Sequence, residues 1–472
     1  MTHPGQPDSK TGPMKKPRKC WTHFEAMAGS DNFERYPKTD MQSLSDAPTR
    51  VVSSQVAKRK KIPSVVPGEP AGGGDVGWQR QPASPAAAGA FLGTNAKSSA
   101  APQIDPETGE ILGTAKTSIM ARFERFALQS AARKLLPDSR TAKCLRLRQK
   151  GRDIQVLQSK EHKTCSYKGL QTCGSVWACP VCAAKISERR RVELKAAIDR
   201  HLGNGGGVYL LTLTNPHHFG DQLADLLAGQ AKALYYFNSD RASRKVFASM
   251  GCIGQIRALE TTHGRLRRVN NGWHPHYHIV LFAASALDLA ALQLDLAARW
   301  ISSCTKAGLK APSIEHGLRL DPGEFAADYA AKWGLDHEMT KGHIKKAKDG
   351  ESPFDLLRAY LANGDKQAGA LFHQFAETFK GKRQLFWSPG LKKRFQIGEM
   401  TDEELANQQD DKALLLGTIT VDQWRYILKK EARSLVLELA EQGWEAVSRF
   451  LASVPQEPCI DAPSFKLQRK KS

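Results

Sequence analysis

The chain has no apolar run approaching the roughly 18 residues that a membrane helix needs. Its opening, "MTHPGQPDSK", lacks the charged-then-apolar plan of a secretory signal. Both absences point to a soluble intracellular protein with no membrane partner. No internal repeat is found, and no glycine-rich phosphate-cradling loop, which leaves little support for a hydrolase of small substrates. Acidic charge is in deficit: 48 Asp and Glu stand against 69 Lys and Arg in 472 residues, a formal charge of +21. Such a balance suits an anionic partner such as nucleic acid or a membrane surface, and charge alone does not choose between them. A chain this long buries a large core without covalent staples, so its nine cysteines need not be explained by stability. In a reducing compartment, clustered cysteines are read as metal ligands before they are read as disulfides.

Residues 1–115 are rich in Pro, Gly, Ser and Lys, with "KKPRK", "KRKKIP" and "GEPAGGG", and are expected to be a disordered basic tail. Order is expected to begin at "SIMARFERFALQSAARKLL", which has helical spacing and is stopped by Pro137. Residues 116–200 then form a helical and Cys-rich segment. Cys165, Cys173, Cys179 and Cys182 fall within eighteen residues. The pair in "CPVC" has the tight spacing that lets two thiolates share one tetrahedral ion, so a structural zinc is expected, with His162 as a substitute ligand. Arg189, Arg190 and Arg191 on the following basic helix either reach phosphate or form a solvated face.

Residues 201–345 alternate strand, helix, strand, strand, helix, strand, helix, the order of an α+β domain whose antiparallel sheet is covered by helices on one side. The strand "WHPHYHIVLF" places His274, His276 and His278 on one face, because successive side chains of a strand alternate. Two such imidazoles can serve one divalent ion. The remainder, 346–472, is a basic and aromatic stretch, "GKRQLFWSPGLKKRF", followed by amphipathic helices that either close a small domain or offer a homodimer face.

"YLLTLTNPH" (Tyr209–His217), "WHPHYHIVLF" (Trp273–Phe282) and "YAAKW" (Tyr329–Trp333), in that order, resemble the three motifs of rolling-circle plasmid replication initiators of the HUH endonuclease superfamily. "CGSVWACPVC" and "FWSPGLKKRF" resemble the branch with an upstream Cys-rich stretch, so the likeness runs from about Lys160 to Glu404. The resemblance implies an HUH-type antiparallel sheet with flanking helices and a site-specific DNA nickase and strand transferase of the bacterial cytoplasm. Its partners would be a plasmid origin with a single-stranded nick site, and the host polymerase and helicase. It implies that His276 and His278 bind Mg or Mn with Glu260, on the neighbouring strand, as third ligand, and that His274 supports a ligand or sits at the rim. Tyr329 would be the nucleophile, leaving a 5′-phosphotyrosine and a 3′-OH primer, with Lys332 steadying the phenolate or the phosphate. Related single-tyrosine initiators place a glutamate one helical turn before the tyrosine, where this chain has Phe325. Glu324 lies roughly 140° around the helix from Tyr329, and it also fits a capping box with Asp321, so it serves as the water-activating base only if the helix starts later or is distorted. Two other readings stand beside this one: a transposase or relaxase of the same superfamily, and a zinc-stabilised nucleic-acid-binding regulator without catalysis.

Overall fold

The computed structural model describes residues 103–104, 111–112, 115–332, 350–408 and 412–452, and side chains from 119 to 327 and in the last two of these ranges. Residues 1–102 of the expected basic tail, the charged stretch 336–349 and the residues after 452 lie outside the described residues, whereas residues 103–104, 111–112 and 115 of that tail carry a short hairpin and the first residue of a helix. All described residues belong to one unit, Ala83–Ser472.

Strands β1 (Gln103–Ile104) and β2 (Ile111–Leu112) form a minimal hairpin ahead of helix α1 (Ala115–Leu135). The turn α2 (Arg140–Lys143), capped by Ser139, leads to β3 (Ile154–Gln158) and β4 (Cys165–Lys168). Helix α3 (Pro180–Gly203) starts at the proline of "CPVC", whose missing N–H is harmless at a helix start. Next come β5 (Gly207–Leu213), α4 (Leu223–Ser239), α5 (Arg241–Ser249), β6 (Gly254–His263) and β7 (Trp273–Ala283). Helix α6 (Leu289–Ala307), the turn α7 (Ile314–Gly317), β8 (Leu318–Asp321) and α8 (Gly323–Lys332) follow. The C-terminal region contributes β9 (Leu385–Trp387) and β10 (Leu414–Ile419) among its helices.

The main sheet has five strands in the order β8-β5-β7-β6-β9, every neighbouring pair antiparallel. The α+β class and the antiparallel β6–β7 hairpin agree with expectation. The cover does not, because helices pack on both faces. Tyr209, Leu211, Tyr277, Ile279 and Leu281 face a core with Phe237 of α4 and Trp300 of α6. Val208, Leu210, Ile256, Val280 and Phe282 face Leu194, Ala197 and Ile198 of α3 and Ala326 of α8. The reason is visible in β5, where all seven residues are buried: "GVYLLTL" puts apolar side chains on both faces, with Thr212 its one hydroxyl on the histidine face, the mark of a strand covered twice.

The boundaries expected at 200 and 345 do not separate sheets. β9, from the C-terminal region, is the fifth strand of the main sheet, pairing Ile256 with Trp387 and Ala258 with Leu385. β10 pairs with β3 in a second sheet, ordered β10-β3-β4. That sheet buries Ile154, Val156 and Tyr167 against Trp424, Ile427 and Val436, so residues before 200 and after 414 build one core. A three-residue strand far along the chain carries too little periodicity to announce its partner.

Trp424 stacks edge-on against Tyr167 at 5.1 Å and donates its Nε1–H to the Arg146 carbonyl at 2.8 Å. Trp424→Ala is therefore expected to destabilise the protein by about 3–5 kcal/mol. Val421→Ala, at a site 40% exposed, is expected to change stability by less than about 0.5 kcal/mol. Equilibrium unfolding in urea checks both.

Candidate functional site

The β6–β7 register brings a carboxylate to the imidazoles. Glu260 pairs with His276, Ala258 with His278 and Thr262 with His274, and directly opposed residues of an antiparallel pair share a face. Glu260 Oε2 lies 3.6 Å from His276 Nε2 and 3.8 Å from His278 Nε2. One ligand atom from each of the three residues falls within 4.8 Å of the others. Ligand bonds of about 2.0–2.2 Å at tetrahedral or octahedral angles need ligand separations of roughly 3.0–3.5 Å, so Glu260 needs to close by only a few tenths of an ångström on each imidazole.

The far nitrogen of each ring is held. His276 Nδ1 is 3.2 Å from the His274 carbonyl, and His278 Nδ1 is 3.0 Å from the hydroxyl of Thr212, its partner across β5. Anchoring Nδ1 leaves Nε2 of each ring turned towards Glu260, as a metal ligand requires. Burial pushes the His278 pKa down to about 4, with Glu260 pulling it up and His276 pushing it further down. The ring is neutral near pH 7, the form that ligates a metal.

His274 stays outside the three-ligand group. Its ring stacks on His217 at 4.6 Å and sits 5.0 Å from His276, while burial and the neighbouring histidines hold it well below the usual range. The His217 ring is fixed through Nδ1 to the Asn271 carbonyl at 2.8 Å. Behind this wall, buried Gln230 donates to the Pro275 carbonyl and to Asn215 Oδ1, both at 3.0 Å. Thr212, His217 and Gln230 were not singled out from sequence. The first two lie in the quoted "YLLTLTNPH" stretch, but only the register shows which of its side chains meets a histidine.

Helix α8 packs on the same sheet face as His276 and His278, through Ala326, which is fully buried among Val208, Leu210 and Val280. The helix starts against β5: a Cβ on Gly323 would come within 2.7 Å of the Val208 carbonyl oxygen, so only glycine permits this approach. Tyr329 and Lys332 belong to α8, but their side chains lie outside the described residues. Glu324 is exposed in the first turn. The Asp321 carboxylate, expected to cap, accepts from Arg319 Nε at 2.6 Å.

The cysteine group differs from expectation in one member. Cys173, Cys179 and Cys182 are joined by Cys144, not by Cys165. Cys165 begins β4 and points into the core of the smaller sheet, since pairing with β3 fixes its face. His162 is drawn towards Glu161 and stands apart. Cys144 was missed because it has no close Cys partner in sequence; the fold of α1 and α2 delivers it. Burial alone would raise the Cys179 thiol, but hydrogen bonds from Cys144, Cys173 and Cys182 win and hold it well below the ordinary thiol range.

The three arginines of α3 and the aromatic rings of the later basic stretch are committed to internal contacts, while Lys382, Arg383, Lys393 and Arg394 are exposed. Arg190 pairs with Glu193 and Asp402, Arg191 with Glu188, and Arg189 bonds Gln408. In "GKRQLFWSPGLKKRF", Phe395 is buried in the core, Phe386 lies under the Arg257 guanidinium at 5.0 Å, and Lys392 covers Trp387 at 5.3 Å. This stretch is an edge strand and its packing, not an open stacking platform.

Burial also lowers the His263 pKa to about 4. Because the folded values of His263 and His278 lie below the ordinary 6.5, the unfolded chain takes up protons that the folded chain refuses. Their contribution to stability is full above about pH 6.5 and is lost as pH falls towards 4, at roughly 3 kcal/mol for each full shift. Ring NMR titration in EDTA is expected to give midpoints near 4 for both; midpoints at the ordinary value contradict this environment.

No family model and no solved structure matches the chain. A protein of Streptomyces cyanogenus named "Neomycin resistance protein" is 31% identical over 144 residues, covering 25% of this chain and 32% of that one. "Protein rep" of Streptomyces lividans is 28% identical over 352 residues, covering 60% of this chain and 73% of its own length. The chain is therefore similar to a Rep protein across more than half its length.

Proposed function

We propose that the chain is a plasmid replication initiator that nicks its origin and carries the cut strand on Tyr329. The observation that carries this reading is the Glu260, His276 and His278 group on the sheet face against which the Tyr329 helix packs. The similarity to Protein rep supports the initiator role, and the charge of +21 suits DNA as the partner.

One carboxylate and two imidazoles fit Mn or Mg, and an ion held there would bind nonbridging oxygens of the scissile phosphate and neutralise the charge that develops on them. Thr212 and the His274 carbonyl orient the two imidazoles. The Tyr329 oxygen would form a bond to phosphorus as the bond from phosphorus to the 3′ oxygen breaks. The phenol loses its proton and the leaving 3′ oxygen gains one, so charge balances. Lys332, three residues on in α8, would steady the phenolate. The 3′-OH then primes a host polymerase behind a helicase, and the phosphotyrosine keeps the bond energy for rejoining. Exposed Glu324 would activate water at termination only if the first turn of α8, which begins at Gly323, is distorted.

With Mn and tiled single-stranded oligonucleotides from its own replicon, wild type is expected to form a denaturant-stable protein–DNA adduct. Tyr329→Phe and EDTA-treated protein are expected to form none. Binding without an adduct across the whole set would instead favour a non-catalytic regulator. Thr212→Val, which removes the partner of His278 Nδ1, is expected to weaken Mn binding roughly 10- to 100-fold with little change in stability, measured by isothermal titration.

A further inference from the structure

We propose that Cys144, Cys173, Cys179 and Cys182 hold one zinc ion in a closed four-thiolate site that ties the end of α2 to the start of α3. The site is independent of the nicking reading.

The sulfur spacing is that of ligands around a shared centre. Cys144 Sγ lies 3.5 Å from Cys182 Sγ, Cys173 Sγ 3.6 Å from Cys182 Sγ, and Cys179 Sγ 3.7 Å from Cys144 Sγ. A tetrahedron with Zn–S bonds of about 2.3 Å has edges of about 3.8 Å. A disulfide would draw two sulfurs to about 2.05 Å, and all four cysteines are free. Each of the four is at most 4% exposed. Four sulfurs enclosed in this way leave no position for water or substrate, which marks a structural site.

The surroundings are built to receive negative charge. Gln129 Nε2 donates to Cys179 Sγ at 3.4 Å, Thr141 Oγ1 to Cys173 Sγ at 3.8 Å, and the Ser175 backbone N–H to Cys173 Sγ at 3.5 Å. Behind Gln129, the Arg433 guanidinium, 1% exposed, donates to Gln129 Oε1 at 2.6 Å and to the Leu145 carbonyl at 3.3 Å. Donors facing sulfur and a buried cation behind them match a thiolate cluster, since outer partners orient and neutralise ligands. Binding is charge-balanced without redox: one Zn²⁺ displaces to solvent every proton that the four sulfurs still carry, leaving four thiolates around the ion as a dianion. The consequence reaches the catalytic face, because α3 continues from this anchor to pack Leu194, Ala197 and Ile198 against the histidine side of the sheet.

The test is metal content of the full-length protein by elemental mass spectrometry, with cobalt reconstitution. Wild type, Cys165→Ser and His276→Ala are each expected to carry about one zinc, and Cys144→Ser to lose it at least about tenfold. If Cys144→Ser does not fold, the wild-type cobalt spectrum decides, since tetrahedral four-thiolate cobalt gives intense thiolate-to-metal charge transfer that a His-containing or two-sulfur site does not match. Zinc-free wild type, an intact mass short of thiol hydrogens, a cobalt spectrum with fewer than four thiolates, or zinc lost from Cys165→Ser but kept in Cys144→Ser would each overturn the assignment.

Discussion

The pairing of Glu260 with His276 across β6 and β7 is the constraint on which the rest depends. A slip of one residue would send the carboxylate to the opposite face, where Trp273, Tyr277 and Ile279 fill the core. The register is held at its loop end. His263 and Trp273 meet edge-on at 4.8 Å, and His263 bridges to Glu351 through two backbone bonds of 2.8 Å. Arg265, 6% exposed at its side chain, pairs with Glu351 and Asp365 at 2.6 Å each, so the loop after β6 is clamped to the C-terminal region. Residues far from the histidines in sequence thereby determine whether a carboxylate reaches them.

The two ligand groups differ as their surroundings do. Glu260, His276 and His278 are half-buried and supply three ligands, leaving positions for water or a phosphate oxygen. The four cysteines are buried and complete. One chain thus presents an open oxygen-and-nitrogen group at a sheet face and a closed sulfur group at the start of the helix that covers that face.

What could be read from sequence followed the range of each signal. Period-2 alternation in "WHPHYHIVLF" and its short link to β6 showed the histidine face and the place of Glu260, because hairpins are local. The cover on both faces was written in β5, whose apolar side chains occupy both faces, but the sheet was expected to be covered on one side. Cys144 and β10 escaped because each finds its partner through tertiary folding: Cys144 through the packing of α1 and α2 on α3, β10 by crossing from residue 414 to residue 158. Cys165, close in sequence to the other cysteines, was drawn into the wrong set because proximity along the chain says nothing about the face on which β4 turns its side chain.

The most direct test of the central claim is anomalous diffraction from a manganese-soaked crystal. The register predicts one strong peak within about 2.2 Å of Glu260 Oε2, His276 Nε2 and His278 Nε2. Manganese bound elsewhere, with Glu260 turned away from the two histidines, would contradict it.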